Sequence, residues 1–193
     1  MLFSSKDLPS QHSINSPNEG GFSLHTIGKG SRKFAQDEDL SDVFTELSEH
    51  EIIMYFTKGR WSMHHLIKHI CEIVGPCEVT LCTWAMTEKP LATIERLRQE
   101  NKITKLTGIF EDKILTKGKG YAFAKQFFDE TYTTRCHAKV TVFENDQYAV
   151  SVFASSNLTK NRRVENGVII SDRETAIWAK NYLISITNQD DNK

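Results

Sequence analysis

From Glu51 onward the chain alternates between two hydrophobic periods. Glu51 to Phe56 (EIIMYF) reads as a strand. Met63, Leu66, Ile67, Ile70 and Val74 then recur at helical spacing, with Ser62 as the cap and Gly75-Pro76 as the stop. Cys77 to Ala85 (CEVTLCTWA) reads as a second strand. Pro90 sits in the first turn of a second helix that turns Leu91, Ile94 and Leu97 inward. Lys102 to Phe110 reads as a third strand, and Tyr121 to Asp129 as a third helix around Phe123, Phe127 and Phe128. Strands follow at 136–144, 148–155 and 165–170. A closing helix begins at Ser171, where S-D-R-E reads as a capping box, and carries Ala176, Ala179, Leu183 and Ile186. This order predicts an α/β fold: a mixed, largely parallel β-sheet flanked by helices on both faces. The stretch 148–155 is apolar on both sides, as a central strand between two helical layers should be.

The first 35 residues lack such a period and are rich in Ser, Asn, Gly and Pro. They read as a flexible N-terminal arm, with a short ordered piece from Phe22 to Ile27, and residues 36–193 as a single domain. Within that domain, Asp37 to His50 reads as a short amphipathic helix or loop carrying Leu40, Val43, Phe44 and Leu47. No apolar run approaches the roughly 18–20 residues that cross a bilayer. The N-terminus shows neither a basic start with an apolar stretch nor a small-residue cleavage site, so the expected location is cytoplasmic, without a membrane partner.

A net charge of −1 offers no global attraction for polyanions, so any phosphate binding must come from local charge placement. Cys71, Cys77, Cys82 and Cys136 form no CxxC pair and are expected as small buried hydrophobes, not zinc ligands or disulfides. His65 and His69 have the i, i+4 spacing that can chelate zinc, yet Leu66, Ile67 and Lys68 between them supply no acid. No metal and no cofactor are expected. Trp61 and Trp84 both read as packing residues before base-stacking platforms, with Trp84, near a strand end, the more plausible exception.

The chemistry concentrates between Cys136 and Ile170. His137 and Lys139 are two apart in a strand, so their side chains leave the same face. Ser155 and Asn157 repeat that spacing just past the next strand. The polar turn 144–147 between the two strands makes them neighbours. Glu165, opening the following strand, can reach the same place. An imidazole can attack phosphorus and form a phosphohistidine. A lysine neutralises non-bridging oxygens, an asparagine amide donates to them, and a carboxylate on the second ring nitrogen fixes the histidine tautomer. Lys160, Arg162 and Arg163 follow immediately and are candidates for gripping flanking phosphates, with Lys113, Lys117 and Lys119 as a further basic loop.

His137-Ala138-Lys139, then Ala154-Ser155-Ser156-Asn157, then Arg163-Val164-Glu165-Asn166 resemble the phospholipase D superfamily, whose signature reads HxK, four residues, Asp, six residues, and G-S-x-N. The resemblance covers about 35 residues. It departs at Glu144, which stands for the aspartate, at Ala154, which stands for the glycine, and in a spacing three residues longer. It implies a phosphodiesterase, with Glu165 rather than Glu144 orienting the histidine, as the trailing glutamate does in the small single-motif nucleases of this superfamily. Two histidines are needed, one to attack and one to protonate the leaving oxygen. His12, His25, His50, His64, His65 and His69 belong to no second HxK. The resemblance therefore implies a homodimer whose two-fold axis passes through one composite, metal-independent active site. A nucleic acid is the expected substrate, DNA before RNA. A phospholipid-processing hydrolase and a non-catalytic nucleic-acid-binding or assembly module are the alternatives.

Overall fold

The computed structural model of the chain describes residues 30–36, 39–115, 120–160 and 162–187. Eight strands form a single sheet: β1 (Arg32–Gln36), β2 (Glu51–Lys58), β3 (Cys77–Thr83), β4 (Ile103–Glu111), β5 (Glu130–Thr134), β6 (Val140–Glu144), β7 (Ala149–Ala154) and β8 (Val164–Ser171). Helices α1 (Leu40–Val43), α2 (Met63–Val74), α3 (Glu88–Gln99), α4 (Gly120–Ala124) and α5 (Arg173–Thr187) complete it. The strand order is β1-β2-β8-β7-β6-β3-β4-β5.

The sheet is mixed and helix-flanked, as the alternation predicted. Its parallel pairings, β1–β2, β3–β4 and β4–β5, lie toward the two edges. The four central pairings, β2–β8, β8–β7, β7–β6 and β6–β3, are antiparallel. The short turn between β6 and β7 accounts for one of these, since two strands joined by a hairpin run in opposite directions.

Two apolar layers sandwich the sheet. On one face, Leu66, Ile67 and Ile70 of α2 and Leu91, Ile94 and Leu97 of α3 pack with Ile53, Leu81, Phe143, Val150, Val152 and Ile169. On the other, Ala176, Ala179 and Leu183 of α5 meet Val142, Ala149, Cys82 and Ile109. β7 contributes to both layers, as its sequence required. Beside α5 the second face is bare at Phe34, Met54 and Phe56.

Several boundaries differ from the sequence reading. Residues 32–36, at the end of the expected arm, pair as β1 along the edge of β2; the Phe22–Ile27 expectation lies outside the described residues. The helix expected over 121–129 is only the short α4, and Glu130–Thr134 is the edge strand β5. Ser171 closes β8, and Asp172 caps α5 by accepting from the Thr175 amide at 2.7 Å.

Tyr55 and Gly167 are partners in the β2–β8 register. The buried Tyr55 ring lies across Gly167, where a Cβ would stand 2.3 Å from its hydroxyl and 2.8 Å from the Phe153 carbonyl. Gly167→Ala should therefore cost about 1–3 kcal/mol of stability by overpacking, read by urea unfolding. An equally stable variant would contradict that packing.

Candidate active site

β2, β3, β4 and β7 end, and β6 and β8 begin, at one edge of the sheet, as the pairings Cys82↔Val140, Val140↔Phe153 and Lys58↔Val164 require. In open α/β sheets this edge, where parallel strands finish, is where ligands bind. Segments 59–62, 84–87, 135–139 and 155–160 meet there.

His137 and Lys139 occupy the extended segment just before β6, one step outside the strand expected to hold them. The Ala154 amide donates to the Lys139 carbonyl at 3.0 Å, tying this segment to the end of β7. Lys139 is 9% exposed. Its Nζ donates to His137 Nδ1 at 2.9 Å and to the His137 carbonyl at 2.6 Å. Burial pulls its pKa below the ordinary lysine value, against the opposing pull of Cys136, Cys82 and Glu165. His137 is exposed, and its ring centroid lies 5.2 Å from that of Trp84.

The residue before His137 is anchored from below. The Cys136 amide donates to the buried Glu111 carboxylate at 2.9 Å, and its sulfur lies 3.4 Å from Cys82. All four cysteines are buried and unbridged. The contact with Cys82 draws the Cys136 thiol down to about 6 and drives the Cys82 thiol up.

Ser155 and Asn157 follow β7 directly. The Ser155 hydroxyl donates to Glu165, and the Asn166 amide donates back to it at 3.0 Å. The loop is then stitched to the end of β3. The buried Leu158 amide donates to the Ala85 carbonyl at 3.1 Å and to Thr83 Oγ1 at 3.2 Å, and the Thr87 amide donates to the Leu158 carbonyl at 3.1 Å. Between these ties, Asn157 Oδ1 is buried without a hydrogen-bond partner among the described residues.

Glu165 pairs in register with Thr57, and its charge is felt by Lys139 and by Tyr55. Burial, then that carboxylate, raises the Tyr55 hydroxyl. Nδ1 is held by Lys139, while Glu165 takes the Ser155 hydroxyl. A hydroxyl on the next strand is the nearer donor for a carboxylate placed opposite β7.

Glu144 stands at the far end of β6 and accepts from Lys180 of α5 at 2.7 Å, which removes it from the site. Lys160, Arg162 and Arg163 lie on the loop entering β8, where Arg162 and Arg163 are exposed. Lys160 also bears on His64 and His65 at the start of α2. His64 is buried, and burial, aided by His65, Lys89 and Lys160, lowers it to about 4. The His65–His69 pair is engaged otherwise: His65 Nδ1 accepts from the Ser62 amide at 3.1 Å, and His69 Nε2 donates to the Phe44 carbonyl at 2.7 Å. Among the described residues no group of three potential ligands forms a metal site, and no helix is long and apolar enough to cross a membrane. Trp61 packs on Tyr55, as expected. Lys117 and Lys119 lie outside the described residues.

Sequence reasoning missed Tyr55, Glu111 and the Cys82–Cys136 contact. Tyr55, Glu111 and Cys82 lie on β2, β4 and β3, and only the strand order brings them to the motif.

No protein-family model matches the sequence, and no curated protein matches it. Solved structures do. Nuc from Salmonella typhimurium, a phospholipase D family member, aligns with a TM-score of 0.56 over 72% of this chain and 94% of its own, at 14% identity. NucT from Helicobacter pylori aligns with a TM-score of 0.54 over 70% and 96%, at 13% identity. The chain has a phospholipase D fold. At such identities the likeness establishes architecture alone.

Within this phospholipase D fold, the loop after β7 leans on the loop after β2. Gly59, at φ 79°, lies so close to Arg162 that a Cβ would meet its main chain at 2.5 Å. Gly59→Ala should displace the 155–163 loop, destabilising the protein by about 1–3 kcal/mol and speeding tryptic cleavage at Arg162 and Arg163. Unchanged proteolysis would show that the two loops do not brace one another.

Proposed function

We propose that the protein is a phosphodiesterase, specifically a metal-independent nuclease acting on DNA, with His137 as nucleophile. It works as a homodimer in which two copies of His137 face one phosphorus. The observation that carries this reading is the buried Lys139 ammonium resting 2.9 Å from the exposed His137 imidazole. It lies at the sheet edge that also holds Ser155, Asn157 and Glu165. The phospholipase D fold supports it.

Attack needs an unprotonated ring nitrogen. Lys139 Nζ lies 2.9 Å from Nδ1 and 3.4 Å from Nε2, and the reaction uses the tautomer in which Nδ1 accepts from it and carries no proton. When phosphoryl oxygens enter, they are stronger acceptors for the ammonium than imidazole is. The lysine then shifts to them and leaves a bare nitrogen beside phosphorus. The N–P bond forms and the P–O bond to the leaving group breaks, its oxygen taking a proton from the second imidazole. Water passes a proton to that imidazole and attacks phosphorus, the N–P bond breaks, and the histidine is restored. Asn157 adds a dipole toward the same oxygens, and Lys160, Arg162 and Arg163 hold neighbouring phosphates.

The exposed Phe56 on β2 and Val164 on β8 lie at this end of the sheet, 52% and 65% exposed. Apolar side chains around the site suit contact with a second copy.

Cleavage of an oligodeoxynucleotide in EDTA is the test. His137→Ala should abolish turnover while the dimer persists in sedimentation, and Lys139→Ala should lower kcat about 10²–10³-fold. Because burial lowers the Lys139 pKa, its cation is lost below the pH at which an ordinary lysine titrates. The alkaline limb of kcat/KM should accordingly fall early and move upward in Lys139→Arg. Cleavage that survives His137→Ala, or requires a divalent ion, would overturn the assignment.

A further inference from the structure

We infer that Trp84 is a stacking platform for an unpaired base next to the scissile phosphate, which makes the substrate a nucleic acid with accessible bases. The inference rests on the phosphodiesterase reading for the position of the phosphate. It rests on separate observations for the base.

Trp84 follows the last residue of β3 and remains 38% exposed. Its backbone is not loose. Thr83 and Ala85 on either side accept hydrogen bonds from Leu158, and Met86 bridges to Leu158, so the indole is presented from a fixed segment. Its ring centroid is 5.2 Å from that of His137, with the planes inclined at 51°. A tilted contact of this kind leaves indole surface uncovered, consistent with its exposure. A base is joined to its phosphate through one sugar, so a phosphorus held at the imidazole brings a base within reach of the indole. Bases stack on aromatic faces irrespective of identity, which yields affinity without sequence preference. A base inside a duplex already has both faces covered, so only an unpaired one gains.

A diacyl lipid would instead need a broad apolar surface beside the phosphate. The ring beside Trp84 here is the polar His137 imidazole, which itself holds the Lys139 ammonium.

The test uses the full chain and two fluorescein-labelled strands of equal length and charge, oligothymidylate and an abasic tetrahydrofuran oligomer. Dissociation constants are read by anisotropy for wild type, Trp84→Ala and Trp84→Phe. Wild type should prefer the base-bearing strand by about 5- to 100-fold. Trp84→Ala should collapse that ratio to near one, and Trp84→Phe should keep most of it. A wild type without preference, or a Trp84→Ala protein that keeps it, would overturn the inference. So would equal weakening on both strands, which marks Trp84 as a brace for His137. Cleavage of oligothymidylate by wild type is scored separately. A base preference without cleavage refutes the phosphodiesterase reading alone, and cleavage without a base preference refutes stacking alone.

Discussion

The site depends on the antiparallel pairing of β6 with β7, whose last rung is the Ala154 amide on the Lys139 carbonyl. That rung sets the His137–Lys139 segment beside the Ser155–Asn157 loop. Because alternate residues in an extended chain share a face, a slip of one position would turn both sets of side chains away from each other. The register is secured by burial on both faces: Val150 and Val152 sit in one layer, and Ala149 packs in the other. The chemistry is thus positioned by a central strand of the sheet, while the atoms that would react lie at its open end.

Around that rung the molecule holds polar groups in ways that stability alone does not explain. An ammonium 9% exposed has an imidazole nitrogen and a carbonyl for partners. Burial lowers its pKa. An asparagine oxygen and a tyrosine hydroxyl are buried without partners among the described residues. Arrangements of this kind are tolerated where function needs a charge and dipoles held ready for a ligand. The stitching of Leu158 to Thr83, Ala85 and Thr87 is the counterpart, since it holds the loop rigid while its polar groups stay open.

Much of this was legible from residue order. The stripes at Met63–Val74 and Leu91–Leu97, the caps around them and the doubly apolar β7 each announced their elements, because their periods are long and unbroken. The HxK and SSN pieces, with a short polar turn between their strands, carried the site. What escaped has a common physical cause. β1 and β5 are five-residue edge strands of mixed polarity, paired on one side, so their sequence carries little of the burial pattern that marks a strand. The share of antiparallel pairing followed from strand order, which local pattern does not encode. The contact of Glu165 with Ser155, the removal of Glu144 to the Lys180 pair, and the contact of Trp84 with His137 all arise between separate strands.

The central claim is that an imidazole nitrogen forms a bond to phosphorus. Acid-free rapid quenching of the protein with an oligodeoxynucleotide, followed by alkaline-condition peptide mass spectrometry, tests it directly. The account predicts a transient phosphoramidate adduct on the peptide bearing His137, absent in His137→Ala. Steady turnover with no adduct at any time, or an adduct on a different side chain, would contradict it.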